Sequence, residues 1–161
     1  MGMSISTAGL TELNQLLGKL GARAQDVASG ALFDGAGIVA DAFTSAVSGI
    51  ETAPFKYARP GKTRLPSPEE KAALEGKTGI AKFRKDGSEV NTLVGFNPNS
   101  GYADVAGHTK PVPVIARSIN SGTSFMKKQP VFRKAVSKSR EPAQQAIVAK
   151  AEQMLEEIIN S

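Results

Sequence analysis

The sequence predicts an α+β fold, with a long N-terminal helical region and a C-terminal helix packed on a small, mostly antiparallel sheet. Three observations predict it. Apolar residues recur at helical spacing near both ends of the chain, two short runs around Asp86 and Gly87 have the pattern of a hairpin, and Pro and Gly gather between these regions. The 161 residues suffice for one domain, 1–161, with one sizeable core.

Leu10, Leu13, Leu17, Leu20, Ala24, Val27 and Ala31 alternate at spacings of three and four, which places them on one stripe of a helix. After Asp34 and Gly35 the stripe shifts and continues through Ile38 or Val39, Ala42 or Phe43, and Ala46 or Val47. One long interrupted helix, or two in tandem, is expected over residues 10–48. Its many Ala and Gly positions suit close packing against a sheet or a neighbouring subunit. Pro54, Pro60, Pro66 and Gly61 make residues 50–66 a flexible loop or arm. Ser67, Pro68 and Glu70 then supply a helix start, with a serine cap, a proline in the first turn and a glutamate that completes a capping box. That helix is short, because Gly76 and Gly79 follow.

Residues 80–85 and 89–96 read as two antiparallel strands joined around Asp86 and Gly87. Residues 97–101 form a turn. Residues 112–119 are either a third strand or a short buried helix, since the apolar run is too short for periodicity to choose. A loop is expected at 123–129 and one or two helical turns at 131–137. The final amphipathic helix, 142–159, buries Ala143, Ile147, Ala151, Met154, Leu155 and Ile158 against the sheet.

The 20 Lys and Arg outnumber the 15 Asp and Glu, for a formal charge of +5, and the surplus is local. Residues 51–68 carry Lys56, Arg59, Lys62 and Arg64 against Glu51 alone, and residues 101–134 carry six basic groups against Asp104. Both stretches are rich in turn residues, so the positive charge belongs on loops, where it suits a polyanion or an acidic protein surface. The N-terminus lacks the basic and apolar regions of a secretory signal, and no uninterrupted apolar run reaches membrane-spanning length. A soluble protein with no membrane partner is expected.

Catalytic chemistry finds little to work with. There is no Cys, which excludes disulfides, thiolate nucleophiles and cysteine-rich metal sites. His108 is the only histidine, and it sits between Gly107 and Thr109 in a turn-rich stretch with no nucleophile elbow to pair with it and Asp104. Residues 76–79, Gly-Lys-Thr-Gly, lack the full phosphate-loop spacing and precede a strand rather than a helix. Glu152, Glu156 and Glu157 read as solvent-facing charge. No catalytic residue, metal site or cofactor is expected.

Three segments in order carry a resemblance: GLTEL at 9–13 with the alanine-rich helix after it, TGIAKF at 78–83, and IARSINSGTSFMKKQPVFRKAV at 115–136. The last has a hydrophobic stretch, Gly-Thr, a short variable loop, Pro and aromatic, then a small helix. Together they resemble the minor tail component, or tail-completion and head-to-tail joining, family of long-tailed bacteriophages. Asn120 stands where that family often places glutamate, and residues 50–77 are longer and more basic than its usual loop. The resemblance implies a noncatalytic structural virion protein that completes the head-proximal end of the tail as a ring, with six-fold symmetry, and supports head-to-tail joining. It implies tail-tube and neck or head-completion proteins as partners, a location in the virion tail or neck, and assembly in the host cytoplasm. Thr78, Gly79, Asn120, Gly122, Thr123, Gln129, Pro130 and Phe132 then become assembly or structural residues. Lys56, Arg59, Lys62, Arg64, Lys127 and Lys128 become a basic surface for DNA or a neck protein. The alternatives are a head-side stopper or connector, and a cytoplasmic nucleic-acid-binding protein.

Overall fold

The computed structural model describes residues 2–6, 21, 23–87 and 89–160. In chain order these form β1 (Gly2–Ser6), α1 (Arg23–Ser48), α2 (Pro68–Ala72), β2 (Thr78–Ile80), β3 (Arg84–Asp86), β4 (Glu89–Phe96), β5 (Gly101–Ala103), β6 (Thr109–Pro111), α3 (Val112–Ser121) and α4 (Val131–Ile159). The fold is α+β, with long helices toward both ends and a small antiparallel sheet. The first four leucines of the N-terminal stripe and the GLTEL segment lie outside the described residues. Gly21 has φ of +62°, in the left-handed region that glycine adopts without strain, just before α1 begins.

The four-stranded sheet has the order β1-β4-β2, with β3 also paired to β4. The pairing of β3 with β4 is antiparallel, in the register Arg84↔Asn91, Lys85↔Val90, Asp86↔Glu89, and Gly87 takes φ of +58° in the connection. The hairpin therefore forms where Asp86 and Gly87 predict it. The single strand expected at 80–85 is instead divided into β2 and β3. β1 is a strand beyond those expected from the sequence. A second hairpin, β5 with β6, forms a separate two-stranded sheet in the register Gly101↔Pro111, Tyr102↔Lys110, Ala103↔Thr109.

The contacts divide the chain into two compact units. One comprises Gly2–Ala40, Ile80–Val94 and Lys138–Ser161. Here Val27, Ala28, Ala31, Leu32, Ala36 and Val39 of α1 are buried, as are Val90, Thr92 and Val94 of β4 and Ala143, Ile147 and Ala151 of α4. Small residues on α1 meet α4 at close range. A Cβ built on Gly35 would lie 2.5 Å from Ile147 Cγ1 and 3.0 Å from the Ala143 carbonyl oxygen, and one on Gly30 would lie 2.8 Å from Met154 Sδ. The glycines of the N-terminal helix thus seat the C-terminal helix, a partner that the sequence pattern had assigned to a sheet or a second subunit. Gly37, on the same helix, has nothing within 4 Å of such a Cβ. Gly37→Ala is therefore expected to stabilise the fold by about 0.5–1 kcal/mol through helix propensity. Gly35→Ala is expected to destabilise it by about 1–3 kcal/mol through overpacking. Denaturant unfolding of the two variants checks the opposite signs.

The other unit comprises Asp41–Gly79 and Gly95–Ser137. Phe43 of α1, Phe96 at the end of β4 and Phe132 at the start of α4 form its centre. Phe43 and Phe132 stack at 5.4 Å, and Phe96 meets Phe132 edge-on at 5.1 Å. Around them Val47, Ile50, Leu74, Val112, Ile115, Ala116, Ile119 and Met126 are buried. α1 is long and apolar enough, by length and composition, to cross a membrane. Its apolar side chains, Val27, Leu32, Val39 and Phe43 among them, are used in the protein's own interior.

Two helices differ from expectation. Residues 112–121 choose the helix: Val112, Ile115, Ala116 and Ile119 all point inward at spacings of three, one and three. α4 runs unbroken through Pro142, where two separate helices were expected. A proline inside a helix forfeits one backbone bond and costs about 3 kcal/mol. Phe132 and Ala135 before it and Ala143, Ile147 and Ala151 after it are all buried, and this burial offsets that cost.

Candidate interaction groove

In the unit of residues 41–79 and 95–137, the Pro-rich segment before α2 has no regular structure apart from one bridge, and it is tied down at several points. The Ala53 N–H donates to the Pro66 carbonyl at 3.0 Å. The Gln129 side-chain amide pairs with the backbone of Glu51 in both directions, accepting from its N–H and donating to its carbonyl, each at 2.9 Å. Arg64 lies beside Met126 in a parallel bridge, its N–H donating to the Phe125 carbonyl and its own carbonyl accepting from the Lys127 N–H, each at 2.8 Å. These bonds lay the segment against the loop that follows α3.

That loop is built by residues of the segment 115–136. Gly122 takes φ of +75° and ψ of 165°, a conformation essentially reserved for glycine, and a Cβ there would meet the Lys128 Cβ at 2.9 Å. Thr123 Oγ1 accepts from the Met126 N–H at 3.0 Å and braces the turn. Asn120, buried at the end of α3, accepts from the Arg133 N–H at 3.0 Å and so satisfies one of the free donors that open α4. Gln129 is buried by the pairing with Glu51, Pro130 is half-buried, and Phe132 is fully buried. These bonds make the loop a bracket for the Pro-rich segment. Thr78 and Gly79 take no part in them and instead open β2, where a Cβ on Gly79 would meet nothing within 4 Å.

Between the two segments lies a groove of about 300 Å³. Phe55, Tyr57 and Ala58 of the Pro-rich segment, Tyr102, Val105 and Ala106 of the β5–β6 hairpin, and Phe125 line its walls. Phe55 and Tyr57 meet edge to face at 5.2 Å. The Arg64 guanidinium lies 4.8 Å from the centre of the Phe55 ring and makes two 2.7 Å hydrogen bonds to the Glu70 carboxylate. Glu70 is held in turn by the capping box of α2: its carboxylate accepts from the Ser67 N–H at 2.8 Å while Ser67 Oγ accepts from the Glu70 N–H at 3.2 Å. Burial raises the Glu70 pKa, but the Arg64 guanidinium and the Ser67 N–H together outweigh it, leaving the carboxyl below its ordinary value. The hydrogen bond to Glu70 raises the Arg64 pKa in the same exchange. Burial, followed by the nearby Glu70 charge, raises the Tyr102 pKa.

Asp104 organises the hairpin end. Its carboxylate accepts from the His108 N–H at 2.9 Å and the Ala106 N–H at 3.0 Å, and it pairs with Lys110 Nζ at 3.0 Å. The His108 backbone bond first, and Lys110 after it, lower the Asp104 pKa to about 2. The His108 ring is exposed, with Nδ1 at 3.6 Å from the carboxylate, so Asp104 serves the turn of the backbone rather than the imidazole. Among the described residues no group of three His, Cys, Asp or Glu is placed to hold a metal ion.

The predicted basic residues separate into two kinds. Lys56, Arg59, Lys62, Lys127 and Lys128 are exposed and flank the residues that build the groove, whereas Arg64 is withdrawn into it, its side chain 13% exposed and paired with Glu70. The groove itself was not foreseen, because its walls come from three segments far apart in sequence; the capping box at Ser67 and Glu70 was the one legible sign of its floor. Fold and site define an α+β protein with an aromatic groove lined by segments that also carry exposed basic residues. No protein-family model, curated protein or solved structure matches the chain.

Proposed function

We propose that this protein is a noncatalytic structural virion protein that completes the head-proximal end of a phage tail as a ring and supports head-to-tail joining. The observation that carries the reading is the segment 115–136, whose resemblance to the tail-completion family rests on the same residues that make up the bracket. Gly122, Thr123, Asn120 and Gln129 are each committed to backbone geometry or backbone hydrogen bonds. The bracket thereby presents Phe125, Lys127 and Lys128 outward, an arrangement suited to holding a contact surface rather than to chemistry. The partners are further copies of the chain, tail-tube protein, and neck or head-completion protein. A density map of the intact head-to-tail junction tests the proposal. The expected result is a closed ring of this chain at the head-proximal end of the tail. Density for it on the head side of the joint favours a stopper or connector, and its absence from the particle overturns the virion role.

A further inference from the structure

The segments that build the groove, 52–65, 100–112 and 122–130, carry seven Lys and Arg and one acidic residue, Asp104. Asp104 is paired with Lys110, and the Glu70 carboxylate beneath the groove is paired with Arg64, so the acidic charge at the site is already answered. Lys56, Arg59, Lys62, Lys127 and Lys128 remain exposed on two of the segments that line it. The walls meanwhile leave apolar surface uncovered: Tyr57 is 78% exposed, Val105 62% and Phe125 48%. Exposed basic groups on segments that also line an apolar cleft call for an occupant that brings both negative charge and a bulky side chain.

We propose that this groove is a docking site for an acidic segment of a partner protein, which seats one large apolar side chain between Tyr57, Val105 and Phe125 while flanking carboxylates meet Lys56, Arg59, Lys62 and Lys127. The volume decides between this occupant and a nucleic acid strand. About 300 Å³ holds one or two side chains, whereas a strand needs a track of open ring faces for successive bases. The Phe55 ring cannot serve as such a face, because Arg64 lies over it and Tyr57 abuts it. The proposal deepens the assembly reading by naming the chemistry of the partner, and it is tested on the isolated chain, so that its failure is distinct from the absence of a ring in particles.

The probe is a capped peptide with a central phenylalanine flanked on both sides by glutamates, titrated into the full-length protein and followed by backbone amide chemical shifts. Saturable shifts are expected at residues 55–58, 102–106 and 125 in the range up to about 1 mM, weakening with added salt. Replacing the central phenylalanine by glycine should weaken binding about fivefold or more. Val105→Glu, at an exposed hairpin position where folding tolerates charge, should weaken it to a similar degree without changing the melting temperature. The proposal is overturned if the peptide gives no saturable shift, or if the glycine peptide binds as well. It is equally overturned if Val105→Glu leaves binding unchanged, or if a thymidine oligonucleotide engages the same residues more tightly than the peptide.

Discussion

Phe132→Ala is expected to cost about 3–5 kcal/mol of unfolding free energy, the largest loss of any single side-chain truncation proposed here. Phe132 is fully buried, stacked on Phe43 and edge-on to Phe96, so truncation removes its own burial and leaves those two rings only their mutual 6.0 Å contact. The site has little freedom to collapse, because Asn120 holds the Arg133 N–H and Gln129 holds the Glu51 backbone on either side of it. His108→Ala, at an exposed hairpin position, should change stability by less than about 0.5 kcal/mol. Denaturant unfolding of both variants at constant m-value decides the ranking. Equal losses would mean that the aromatic cluster does not hold this unit together.

Glu70→Ala is expected to cost about 3 kcal/mol, because it strands a charge as well as removing one. The Arg64 side chain is 13% exposed and loses both of its 2.7 Å bonds, while the Ser67 N–H loses its acceptor at the start of α2. The part of the loss due to the stranded guanidinium should therefore be recovered when Arg64→Met is combined with Glu70→Leu, since replacing both charges by apolar groups leaves neither charge uncompensated, whereas the Ser67 N–H still lacks its acceptor. A double-mutant cycle measured by denaturant unfolding reads this directly. If the double variant is as unstable as Glu70→Ala, the cost lies in lost packing and not in the stranded guanidinium. The pair also has a pH signature. The Glu70 carboxyl is held below its ordinary value in the folded protein, so its stabilisation is complete above the ordinary carboxylate range and is lost as pH falls through the folded value.

The local elements were legible where a few adjacent residues carry all the information. Ser67, Pro68 and Glu70 form the capping box they announce, and Asp86 and Gly87 mark a real hairpin connection. Thr123 braces its turn and Asn120 satisfies a backbone donor, as their short polar side chains suggest. Of the paired alternatives along the N-terminal helix, Val39, Phe43 and Val47 are the buried members, one from each pair. The β5–β6 hairpin is not legible in the sequence because Gly101–Ala103 and Thr109–Pro111 are only three residues each and neither buries a residue fully. A strand that short leaves no periodicity to detect.

The sequence by itself determined the fold class, the order of its principal elements and the basic charge of the Pro-rich loop before α2, because helical spacing, capping chemistry and charge are properties of neighbouring residues. Of the six basic residues in 101–134, only Lys127 and Lys128 lie on a loop. Only the tertiary structure decided the rest. Residues 112–121 are helical because that geometry turns Val112, Ile115, Ala116 and Ile119 into the core, and α4 continues past Pro142 because buried residues on both sides outweigh one missing hydrogen bond. Gly35 matters for what lies more than a hundred residues away, an Ile147 that approaches closer than a Cβ would permit. Arg64 reads in sequence as one more exposed cation of a basic arm, yet Glu70, six residues on, turns it inward against the face of the Phe55 ring. The groove is decided last of all, since its walls come from distant segments that meet only when the backbone bonds from Arg64 to Phe125 and Lys127 have formed.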